Sequence, residues 1–149
     1  MSLAVAKSIL FHYSILNIGG AERSVLRLMR FLANHGWEVE LVLSTGGGTM
    51  ESSVDPRVKI TRLRDNVVDK RFLAEKLIWR KVLYLLLDGF PLLFSRVQWY
   101  VRAMKYRLKR FDVAVISLTG LSPTFCCSFV RASKRLLWIR NDLAHCDPD

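Results

Sequence analysis

Apolar, strand-like runs alternate with two-faced helical stretches along this chain, and that rhythm restricts the fold more than any other feature. Ile9 to Tyr13 reads as a buried first strand. A helix is expected from about Ala21 to Asn34, stopping at Gly36, because glycine readily takes the left-handed conformation that closes a helix. Along it Val25, Leu28, Met29 and Leu32 recur on one side, and Arg23, Arg27, Arg30 and Asn34 on the other. That is the pattern of a helix lying on a core with a solvated arginine face. Glu38 to Leu43 reads as a second strand, Gly46 to Gly48 as a flexible loop, and Val58 to Leu63 as a short third strand.

Farther along, Asp69 to Asp88 and Leu92 to Arg110 read as helical stretches interrupted at Gly89-Phe90-Pro91. Phe111 to Ser117 is a continuous apolar run rich in valine and isoleucine, as expected of a central parallel strand. Ser122-Pro123 supplies an N-cap and a first-turn proline for a helix to about Ala132, and Leu136 to Ile139 reads as a fifth strand. Alternating strands and helices predict an α/β fold, a doubly wound, Rossmann-like parallel sheet of about five strands in the order 3-2-1-4-5. Ligands of such sheets bind beyond the C-terminal ends of the strands. Here those ends carry Gly19-Gly20, Ser44-Thr45, Leu118-Thr119-Gly120 and Arg140-Asn141-Asp142.

Of these, the Gly19-Gly20 turn is the strongest candidate for holding a diphosphate. Two glycines let backbone approach a ligand, and the first turn of the following helix offers unpaired N–H groups and a partial positive charge. The same glycines also serve a plain, tight strand-to-helix connection, and spacing alone leaves both roles open. A dinucleotide fingerprint is excluded, since the glycine spacing G-x-G-x-x-G and an acidic residue at the end of the second strand are both missing. A P-loop is excluded by the lack of Gly-Lys-Ser/Thr.

At 149 residues, 51% of them hydrophobic, residues 1–149 read as a single domain able to bury a core, with Met1 to Leu3 set aside as an expression remnant. No secretory signal opens the chain and no apolar stretch reaches roughly 18 residues, the length a membrane-spanning helix needs. Cys126, Cys127 and Cys146 form an odd set, and they and His12, His35 and His145 lack ligand spacing, so no metal or cofactor is expected and a reducing cytoplasm fits best. His12 reads as a strand histidine, and His35 as a helix-end residue facing the dipole.

The formal charge of +10 is concentrated: residues 70–110 hold eleven basic side chains against two acidic ones. Arg71, Lys76, Arg80, Lys81, Arg102, Lys105, Arg107 and Lys109 are interleaved with aromatic residues from Trp79 to Tyr106, a mixture suited to an anionic membrane surface. A solvated cationic face above a sheet-packed apolar run is the other reading. No recognised RNA or DNA module accompanies the charge, so nucleic acid is not expected as a partner.

Three stretches, Asn17-Ile18-Gly19-Gly20-Ala21-Glu22-Arg23-Ser24, Phe111 to Ser117 and Leu137-Trp138-Ile139-Arg140-Asn141-Asp142-Leu143, together resemble family 4 glycosyltransferases. The resemblance spans about Ala6 to Leu143 and implies the N-terminal, acceptor-side half of a GT-B architecture. A C-terminal donor domain with an E-x7-E motif is absent from these residues, so the chain alone is expected to be catalytically silent. The resemblance implies a retaining transfer from a nucleotide-sugar to a glycan or lipid-linked acceptor, in surface polysaccharide or glycolipid assembly at the inner face of the membrane. It lays Gly19 and Gly20 against the donor diphosphate and puts Thr119, Gly120, Arg140, Asn141 and Asp142 on the acceptor side. Relatives often carry histidine where this chain has Arg140, which stays protonated and cannot act as a general base. Arg140 and Asp142 are the candidates for a catalytic or positioning role, with helix capping the other role for Asp142. The competing class is a non-catalytic, flavodoxin-like module that binds an anionic membrane or a protein partner.

Overall fold

The computed structural model describes residues 7–64, 96–117 and 122–138. The chain forms β1 (Ser8–Tyr13), α1 (Gly20–Asn34) and β2 (Glu38–Thr45), then a 3-10 turn at Glu51–Ser53 and β3 (Lys59–Arg64). A helix, α2, covers residues 96–104 and tightens into a 3-10 turn at Lys105–Arg107. It is followed by β4 (Arg110–Ser117), α3 (Ser122–Ser128) and β5 (Arg131–Trp138). All five strands are parallel, in the order β3-β2-β1-β4-β5. This is the Rossmann-like arrangement expected from the alternation of elements.

Strand periodicity divides the core into two layers. Ile9, Phe11 and Tyr13 of β1, with Val39, Leu41 and Leu43 of β2, meet Val25, Leu26 and Met29 of α1 on one face. On the other face Leu10, Val42, Leu63, Ala114 and Ile116 meet Trp99, Ala103 and Tyr106 of the α2 region and Phe125 and Cys126 of α3. Helices on both faces explain why β1, β2 and β4 are near-continuous apolar runs. Met29 and Phe11 are essentially inaccessible to solvent, and truncating either would remove about 2–5 kcal/mol.

Helix α1 begins one residue earlier than expected, at Gly20, and its arginine face is solvent-exposed. His35 closes it: the ring Nδ1 donates to the Phe31 carbonyl at 2.8 Å, and Gly36 follows at φ +76°, where a Cβ would be strained. The largest departure from expectation is at the C-terminal side. Helix α3 stops at Ser128 rather than near Ala132, and β5 starts at Arg131 rather than Leu136. The cause is tertiary: β4 pairs with the new strand from Arg110–Arg131 through Ser117–Trp138, so polar residues are recruited to an edge where most side chains face water. The first stretch expected to be helical, residues 69–88, lies outside the described residues. Of the second, 92–110, residues 96–104 are helical. Among the described residues no helix is long and apolar enough to cross a membrane.

Candidate functional site

The C-terminal ends of β1, β2 and β3 lie side by side and form the rim on which the glycine turn sits. Gly19 is extended and serves as the N-cap of α1 without a side chain to satisfy the helix N–H groups. A Cβ on Gly20 would meet nothing within 4 Å, so the first turn of α1 is open. A Cβ on Gly19 would run into the carboxylate of Glu22, which folds back over the turn. The turn therefore combines free backbone donors with one acidic side chain that a ligand would displace.

The neighbouring loops are held rigidly. Thr45 N–H donates to Ser14 O at 2.9 Å and Met50 N–H to Leu16 O at 3.1 Å, which lashes the loop after β2 to the loop after β1. Gly48 packs so closely on the Leu16 backbone that no Cβ fits there. Glu51 anchors this loop by accepting from Gly48 N–H at 3.0 Å and from Arg62 at 2.8 and 2.6 Å. Burial pushes the Glu51 carboxyl up, but Arg62 and the backbone N–H groups of Gly48 and Gly47 outweigh it and hold the group below the usual carboxylate range.

Arg64, the last residue of β3, was not singled out from the sequence. Its Nε donates to Thr45 Oγ1 at 2.8 Å, and among the described residues it has no carboxylate partner. It brings a permanent cation to the rim, well suited to phosphate. The only signal in the sequence was its position at the end of an alternating strand, which means nothing until β3 is placed beside β2.

Ser44 departs from its expected place on the rim. It is buried, and its Oγ lies 3.1 Å from His12 Nε2 inside the sheet. The His12 ring stacks on Phe125 with centroids 4.6 Å apart, and among the described residues its Nδ1 has no hydrogen-bond partner. Burial drives its pKa down to about 3, so the ring is neutral at physiological pH. His12 is thus a core residue, as a strand histidine was expected to be.

The cationic candidates are divided by the fold. Lys109 Nζ donates to both Glu40 oxygens, at 3.2 and 3.0 Å, and Tyr106 Oη and Thr61 Oγ1 donate to Glu40 Oε1 at 2.6 and 3.1 Å. Burial raises the Glu40 carboxyl, but these donors together bring it below its ordinary value, and Tyr106 is raised by burial and by the same carboxylate. Arg107 donates to Ser128 O at 3.4 Å and lies over the Phe129 ring at 5.9 Å. Arg102 donates to Arg62 O at 3.0 Å, while Lys105 is exposed. Arg71, Lys76, Arg80, Lys81, Thr119, Gly120, Arg140, Asn141 and Asp142 lie outside the described residues. Among those described, no group of three His, Cys, Asp or Glu could hold a metal ion.

No protein-family model, curated protein or solved structure matches this chain.

Proposed function

We propose that this domain is the acceptor-side half of a retaining GT-B glycosyltransferase that takes its sugar from a nucleotide-sugar. The observation that carries the reading is the open first turn of α1 at the C-terminal end of β1, on an all-parallel sheet whose strand β3 ends in Arg64. Backbone N–H groups of the Gly19-Gly20 turn would bind the donor diphosphate and stabilise charge on the leaving nucleotide. Arg64 would add a cationic contact. Thr119, Gly120, Arg140, Asn141 and Asp142 would line the side that receives a glycan or lipid-linked acceptor. The transfer itself would need a donor-side domain facing this one.

Titrating UDP and GDP into the 15N-labelled chain tests the reading. Saturable shifts are expected at the amides of Gly19 to Glu22, lost in Gly20→Val, whose Cβ meets nothing within 4 Å. No response at those amides at millimolar nucleotide would refute it.

A second reading, docking to an anionic membrane, is favoured by one surface. Val97, Tyr100, Val101, Met104 and Leu108 are all exposed and recur at helical spacing on α2 and the turn after it, flanked by Lys105 and Arg107. It is compatible with an enzyme at the inner face of a membrane or with a non-catalytic, flavodoxin-like binding module. Co-sedimentation with anionic vesicles at low and high salt separates this from a merely solvated face, for which no binding at low salt is the signature.

A further inference from the structure

Strand β5 closes one end of the sheet, and among the described residues it pairs with β4 alone. All but two of its eight residues are exposed, whereas a strand of a parallel sheet is ordinarily covered on both faces. Leu136 and Leu137 are 53% and 52% exposed, and they pair with Val115 and Ile116, which belong to opposite core layers. One exposed leucine therefore stands on each face of this edge. The opposite edge of the sheet is finished differently: Leu63 of β3 is buried, and the Arg62 carbonyl accepts from Arg102 at 3.0 Å.

Charge restricts what can pair here. β5 carries Arg131, Lys134 and Arg135 and no acidic residue. Arg135 turns back on its own domain, with Nε donating to Cys126 O at 3.4 Å and a terminal guanidinium nitrogen to Val130 O at 3.0 Å. Arg131 and Lys134 have no acidic partner among the described residues. Lysine and arginine on an edge strand oppose pairing with a like strand. In an antiparallel pairing of two copies about the middle of β5, Lys134 would face Arg135 of the second copy, with like charges opposed. The same charges favour a strand that brings carboxylates. Their placement sets its pattern, since Arg131 and Lys134 lie in the first half of β5 and Leu136, Leu137 and Trp138 at its end.

We propose that the edge of β5 is a docking site for an extended segment of a partner protein, acidic over one half and apolar over the other, which adds a sixth strand to the sheet. Main-chain hydrogen bonds would hold the segment, its carboxylates would meet Arg131 and Lys134, and its apolar half would cover the two leucines. This surface depends neither on the glycine turn nor on sugar transfer.

The test is a titration of the 15N-labelled chain with a peptide made of a glutamate half and a valine half, in both orders, and with the fully N-methylated forms. Saturable shifts are expected at the amides of Arg131 to Trp138. The order that binds gives the direction of the added strand: glutamates first for a parallel one, valines first for an antiparallel one. The N-methylated forms cannot pair their main chain and are expected not to bind. Affinity is expected to fall about tenfold in Arg131→Glu/Lys134→Glu. Both side chains are exposed, so the urea midpoint of that variant is expected to match the parent's. Gly20→Val is expected to bind the peptide as the parent does, which keeps this result apart from the fate of the glycosyltransferase reading. Equal shifts with the N-methylated forms, unchanged affinity in Arg131→Glu/Lys134→Glu, or no saturable shift at β5 with either order would overturn the proposal. So would a concentration-dependent dimer whose β5 amides shift without peptide, which would assign the edge to a second copy.

Discussion

Lowering the pH from about 6.5 to 4.5 is expected to cost this domain about 2.7 kcal/mol of stability through one side chain, His12. The ring is buried against Phe125, and its folded pKa of about 3 lies far below the ordinary 6.5. Between those two values the unfolded chain takes up a proton that the native state refuses, so acid favours unfolding. The stability is fully present above 6.5 and falls by about 1.4 kcal/mol for each pH unit below it, until the native ring itself is protonated. The carboxylates Glu40, Glu51, Asp55 and Asp112 are all held below their ordinary values, so their own contributions are lost at lower pH. That leaves the window between about 4.5 and 6.5 to His12. Urea denaturation at constant ionic strength at several pH values would measure the slope. His12→Gln keeps a polar group opposite Ser44 and cannot titrate, so its stability is expected to be flat across the window. A flat profile for the parent, or an equal slope in both proteins, would refute the argument from burial.

Gly48→Ala is expected to lower stability by about 1–3 kcal/mol in thermal or urea melts, because its Cβ would overlap the Leu16 backbone. Gly20→Ala, with open space around it, is expected to leave stability unchanged or to raise it by up to about 1 kcal/mol. Glu40→Gln removes the charge to which Lys109 and Tyr106 donate and is expected to cost about 1–3 kcal/mol at neutral pH. Because the Glu40 pKa is depressed, that difference is present above the carboxylate range and shrinks as pH falls through it. The Cys126 thiol, pushed up to about 12 by burial, is expected to escape alkylation by iodoacetamide at neutral pH while exposed Cys127 reacts, as peptide mass spectrometry would show.

Elements whose side chains face the core were legible in the sequence, because burial imposes a pattern. The apolar runs of β1, β2 and β4 and the two-faced α1 follow from being covered by helices or lying on a sheet. Residues 131–135 were misassigned to the end of a helix and a loop because an edge strand needs no apolar alternation. Its identity comes from pairing with β4. The glycine turn was legible as a local strand-turn-helix signal. The His12–Ser44 contact and the Glu40–Tyr106–Lys109 cluster were not, since His12 lies 32 residues from Ser44, and Glu40 lies 66 and 69 residues from Tyr106 and Lys109, with no shared local motif.

The sequence by itself determined the parallel α/β architecture, the strand order and the position of the glycine turn, all of which rest on local periodicity and on the restricted ways that crossovers can pack. Only the tertiary structure decided which polar residues turn inward and which meet one another. It buried Ser44 beside His12, brought Arg64 to the rim, and set Lys109 on Glu40. Those pairings arise from strand register and from the docking of α2 across the sheet, neither of which leaves a trace in neighbouring residues.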